Sequence, residues 1–71
     1  MDLYGRRQLT EREFQVCELL TEGYSNKEIA QKLGLHYGTI KNNMRRIFDK
    51  SGMDSRLEVA LWYLKHKGEQ L

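Results

Sequence analysis

The stretch Asn26–Arg45, NKEIAQKLGLHYGTIKNNMR, decides how this chain folds. It predicts a short helix, a tight turn through Gly34 and a second helix. On a wheel of about 100° per residue, Met44 and Ile47 fall within about 40° of Ile40, whereas Asn42, Arg45 and Arg46 fall roughly opposite. One side is suited to packing and the other is free to meet a partner. Leu33 and Leu35 flank Gly34, which has no Cβ to clash in the left-handed conformation that ends a helix. The pattern is that of a helix-turn-helix, with Ala30 where its two helices approach most closely.

Outside this stretch, the helix starts are marked by one recurring device. Thr10-x-x-Glu13 and Ser25-x-x-Glu28 are capping boxes, in which the hydroxyl accepts a first-turn N–H and the carboxylate reaches back to the N–H of the cap. Leu9 with Phe14, and Tyr24 with Ile29, have the spacing of a hydrophobic staple. The first helix is predicted to run from Thr10 to Gly23. Val16, Cys17 and Leu20 form its inward stripe, and Glu11, Glu13, Glu18 and Glu22 make its surface acidic. The third helix, over residues 37–50, begins near His36, a poor cap, with Leu35 and Ile40 as its staple. After the break at Ser51-Gly52-Met53, Ser55-x-x-Glu58 opens a fourth helix reaching about Lys67.

That fourth helix has two apolar faces. Leu57, Ala60, Leu61 and Leu64 form one, while Val59, Trp62, Tyr63 and His66 gather on nearly the opposite side. A helix apolar on both sides is either fully buried or covers a second surface. So small a domain has too little mass to bury both, so Val59, Trp62, Tyr63 and His66 are expected at a subunit interface.

The chain has 71 residues, enough for one small all-α domain near the lower limit of what folds without disulfides, metal or oligomerisation. This domain is expected over 9–68. Residues 1–8, with Arg6 and Arg7, read as a mobile arm or linker remnant, and 69–71 as a tail. Cys17 is the only cysteine, which excludes an internal disulfide and a cysteine metal cluster. With no nucleophile–base pair, metal-ligand spacing or phosphate loop, neither catalysis nor a cofactor is expected. No hydrophobic run approaches the roughly 20 residues of a membrane span, and no signal-peptide core stands at the N-terminus, so the expected location is cytoplasmic.

The net charge of +2 matters less than its distribution, since residues 10–22 carry −3 and residues 36–50 carry +3. The positive charge sits on the second helix of the motif. Lys41, Asn42 and Arg45 there have the chemistry of a major-groove surface, because lysine and arginine donate to guanine and asparagine pairs with adenine. Arg46 and Lys50, farther round and along, are expected on phosphates. Tyr37, Gly38 and Thr39 form a helix start whose backbone N–H groups suit a phosphate, and Lys27 lies where the preceding helix would cross the nucleic-acid backbone. Asn43 is directed partly toward the core. RNA is a poorer fit, because the outward helix lacks a flat aromatic stacking surface. A protein-interaction adaptor using the aromatic face of the fourth helix is the alternative.

From Leu9 to about Leu64 the chain resembles the LuxR-type, or GerE-type, DNA-binding domain of bacterial transcription regulators. The resemblance is carried by Leu9-Thr10-x-Arg12-Glu13, Val16, Leu20, Gly23, Ser25-Asn26-Lys27-Glu28-Ile29-Ala30, Leu33, Thr39-Ile40-Lys41, Ile47 and Lys50. Departures are His36 for the usual serine cap, Gly38 for a longer polar residue, Asn43 for a common histidine and Ser51 for a common leucine. The resemblance implies a four-helix domain with its third helix in the major groove and its fourth at a homodimer contact, bound to a pseudo-palindromic double-stranded site. Base reading then falls on Lys41, Asn42 and Arg45, and backbone contact on Lys27, Tyr37, Thr39 and Lys50. Such domains stand alone or behind a receiver or ligand-sensing domain, as in response regulators, and RNA polymerase is a further partner to consider.

Overall fold

A computed structural model describes residues 9–68, so the predicted arm (1–8) and tail (69–71) lie outside the described residues. The four predicted helices form: α1 (Glu11–Thr21), α2 (Asn26–Leu33), α3 (Tyr37–Ser51) and α4 (Arg56–His66), with no strand among the described residues. None of them is long and apolar enough to cross a membrane.

Each helix starts where its cap places it. Thr10 Oγ1 accepts the Glu13 N–H at 3.1 Å while Glu13 Oε1 accepts the Thr10 N–H at 2.9 Å. Ser25 and Glu28 close the same box at 3.2 and 2.9 Å. At α4, Ser55 accepts from Glu58 at 3.1 Å, but the Glu58 carboxylate reaches one residue farther back, to the Asp54 N–H at 3.0 Å. The turn of the motif closes through Gly34, whose φ of +68° lets Leu35 donate to the Ala30 carbonyl at 2.9 Å. A Cβ built at Gly34 would meet nothing within 4 Å, so a side chain there is opposed by backbone conformation and not by crowding.

The core gathers one stripe from each helix. Val16, Cys17 and Leu20 of α1 meet Ile29 and Ala30 of α2, Ile40, Met44 and Ile47 of α3, and Val59, Trp62 and Tyr63 of α4. α1 touches all three other helices, while α2 packs on α3. Burial, reinforced by the nearby Glu13 and Glu18 carboxylates, pushes the Cys17 thiol up to about 12, which makes it a packed, unreactive group.

Two expectations are corrected here. Val59, Trp62 and Tyr63 are not a subunit surface but part of this domain's own core, with His66 half-buried beside Trp62. Only one face of α4 is buried, as its size dictates, and the aromatic face takes that place. Aromatic side chains bury more area each, and Tyr63 also has a polar partner, its hydroxyl donating to Glu18 Oε2 at 2.7 Å. That bond and Lys67, 3.0 Å from the same oxygen, hold the Glu18 carboxyl below its ordinary range, while burial and Glu18 push the Tyr63 phenol up. The exposed face is Leu57, Leu61 and Leu64, at 68%, 57% and 52% exposure. The same burial leaves the aromatic face unavailable to an adaptor's partner.

The second correction concerns Lys50 and Glu13. Both are buried, and Lys50 Nζ lies 2.7 Å from Glu13 Oε1, the oxygen that also caps α1. Lys50 therefore ties α3 to α1 and does not face a phosphate. Its wheel position lies about 20° from that of the core-directed Asn43, seven residues earlier.

Candidate nucleic-acid interface

The side of α3 opposite Ile40, Met44 and Ile47 presents Lys41, Asn42 and Arg45 to solvent. Together with His36, Gly38 and Thr39 they line a shallow depression at the start of the helix. A second cleft, between α2 and α3, is lined by Asn26, Lys41, Met44, Arg45 and Phe48. A third, around the start of α2, is lined by Ser25, Asn26, Lys27, Tyr37 and Arg56. The structure thus brings Lys41, Asn42, Arg45 and Thr39 together on one surface, with Lys27 and Tyr37 on its α2 flank. Among the described residues, no ion pair engages Lys27, Lys41 or Arg45. The Lys41 ammonium lies 5.7 Å from the Tyr37 ring centroid, close enough for the ring to favour positions of the side chain over its own helix start.

At the α3 start, two unusual residues explain each other. His36 caps the helix after all, because its Nδ1 accepts the Gly38 N–H at 3.0 Å and so carries no proton. A Cβ at residue 38 would approach that nitrogen to 3.3 Å, so the absence of a side chain at Gly38 gives the imidazole room. The Gly38 N–H, expected on a phosphate, is therefore already committed within the protein. Tyr37, 48% exposed, and Thr39 remain at the surface.

Asn43 is buried, and its Oδ1 accepts from the Arg46 guanidinium at 3.3 Å along the same helix, not across to another. Arg46 remains exposed beside it. Asn43 Nδ2 has no hydrogen-bond partner among the described residues. The contact between Arg56 and Asn26 is marked by no sequence pattern. Arg56, half-buried at the start of α4, donates to Asn26 Oδ1 at 2.6 Å and to the Tyr24 carbonyl. The two residues are 30 positions apart, beyond the reach of any helical periodicity.

This geometry can be set beside known proteins. The family model described as bacterial regulatory proteins, luxR family, matches residues 7–63. The transcriptional regulatory protein DesR of Bacillus subtilis (strain 168) is 41% identical over 68 residues, covering 94% of this chain and 34% of DesR. The nitrate/nitrite response regulator protein NarP of Escherichia coli (strain K12) is 37% identical over 62 residues, covering 87% of this chain and 29% of NarP. The chain spans about a third of the length of such curated relatives. Among solved structures, the DNA-binding domain of the response regulator ComA, complexed with the anti-activator RapF, matches with a TM-score of 0.74 and 35% identity over 76% of this chain and 93% of that one. The response regulator ChrA of a heme-sensing two-component system matches with a TM-score of 0.83 and 29% identity, over 87% of this chain and 31% of ChrA.

Proposed function

The chain belongs to the luxR family of bacterial regulatory proteins, and from that premise we propose that α3 lies in the major groove of double-stranded DNA and reads its sequence. The observation that supports this most is the exposed surface of Lys41, Asn42 and Arg45, engaged by no ion pair among the described residues, on a helix whose opposite side is locked into the core. Lys41 and Arg45 donate to guanine edges and Asn42 pairs with adenine. Tyr37, Thr39, Arg46 and Lys27 meet the phosphate backbone on either side. The domain serves a cytoplasmic transcription regulator, such as a response regulator, and RNA polymerase is a partner of the whole assembly.

Lys27 provides a direct test of the backbone contacts. Lys27→Ala should weaken binding to all duplexes alike and lower the slope of log K against log salt by about 0.9, the counterion released at one phosphate. Titrations at several salt concentrations, on matched and unrelated duplexes, would show this. An unchanged slope excludes Lys27 from the interface.

Two copies bind together, and the exposed leucines of α4 supply the contact. Leu57, Leu61 and Leu64 recur at helical spacing with 68%, 57% and 52% of their surface open to water. A two-fold axis through such a ridge sets each copy's leucines against the other's and matches a pseudo-palindromic site. Leu61→Lys should therefore weaken binding to a two-half-site duplex at least about tenfold while leaving a single half-site unaffected. Equal binding of both duplexes by variant and parent would remove α4 from the dimer contact.

A further inference from the structure

We propose that Arg56 is a positioning residue for DNA binding: by holding the side-chain oxygen of Asn26, it turns the Asn26 amide N–H groups outward as donors to a backbone phosphate. The inference rests on the DNA-binding reading above and adds a contact from the first residue of α2.

A guanidinium has five donors and no acceptor, so the Asn26 atom that Arg56 meets at 2.6 Å is the amide oxygen. The amide nitrogen is thereby turned away from Arg56. The guanidinium is itself anchored a second time, on the Tyr24 carbonyl, so the amide it holds is fixed in one orientation. The Asn26 nitrogen has no hydrogen-bond partner among the described residues. Asn26 also lines two clefts at once, one with Lys27 and Tyr37 and the other with Lys41 and Arg45. Neither cleft has a carboxylate in its lining. An outward amide donor among lysines, an arginine and a phenol, with the nearby Glu28 carboxylate held on the Ser25 N–H and outside both linings, matches a phosphate oxygen in chemistry. Arg56 spends donors on the protein, and its contribution passes through Asn26.

Two substitutions separate this role from a structural one. Asn26→Asp keeps an oxygen for Arg56 and suits the first turn of a helix, but replaces the donor with a carboxylate that repels phosphate. Arg56→Lys keeps the charge and loses the two-point grip. Binding is measured by fluorescence anisotropy on a duplex selected from a random pool and on an unrelated duplex, with thermal melts of each variant alongside. Asn26→Asp should melt no lower than the parent yet bind both duplexes at least about tenfold more weakly, the loss of one charge-assisted hydrogen bond. Arg56→Lys should weaken both duplexes in the same sense at unchanged net charge, and if it fails to fold, Asn26→Asp decides alone. Parent-like binding by Asn26→Asp overturns the proposal, as does a loss confined to the selected duplex, which would indicate a base contact. A parent that shows no salt-dependent duplex binding would remove the DNA-binding reading itself, a result distinct from either.

Discussion

Lys50→Ala should destabilise the domain by about 3–5 kcal/mol, the usual cost of stranding one half of a buried ion pair. The Glu13 carboxylate would then be left with only its capping contact in a site where it is 1% exposed. For a domain of this size that is a large fraction of total stability, which for single domains runs to about 5–15 kcal/mol. The expected observation is a marked fall in urea midpoint with little change in slope. The double variant Glu13→Gln/Lys50→Met should recover most of the loss, since the glutamine oxygen still caps Thr10 and neither site is left with an unpaired charge. DNA affinity of the folded fraction should hardly move. If Lys50 instead met a phosphate, stability would hold and affinity would fall.

Arg45→Ala should have the opposite signature. Arg45 is exposed and carries no ion pair among the described residues, and alanine is the better helix former, so the melting temperature should stay within a degree or two of the parent. Discrimination at one defined base pair should fall by about 1–3 kcal/mol, roughly five- to 150-fold, because a two-pronged donor to a guanine edge is lost. Competition between the selected duplex and single-base variants measures this directly. A uniform loss across all competitors would make Arg45 a backbone contact.

These two residues show what the sequence disclosed and what it withheld. The capping boxes at Thr10 and Ser25, the left-handed Gly34 and the inward ridge of Ile40, Met44 and Ile47 are interactions within about one or two helical turns, and spacing alone reveals them. The outward placement of Lys41, Asn42 and Arg45 follows from the same ridge. What spacing could not supply are contacts between distant elements: Lys50 with Glu13 across 37 positions, Arg56 with Asn26 across 30, and Tyr63 with Glu18 across 45. The first was further concealed because a charged residue is ordinarily exposed. On α4 periodicity showed two apolar faces but not which one α1 would cover. The edge contact between Phe14 and Tyr63, with ring centroids 6.1 Å apart, and the Tyr63–Glu18 bond decide it in favour of the aromatic face. His36 reads as a poor cap in the sequence for a local reason: its imidazole works as a cap because Gly38 leaves room for it.

The most direct test of base reading by the outward side of α3 is selection of duplexes from a random pool by the parent and by Arg45→Ala, followed by sequencing of what each retains. The parent should enrich two related half-sites of defined sequence, and Arg45→Ala should lose preference at the same position in both halves while keeping the rest. Recovery of one and the same motif by both proteins, or of no motif by the parent, would contradict it.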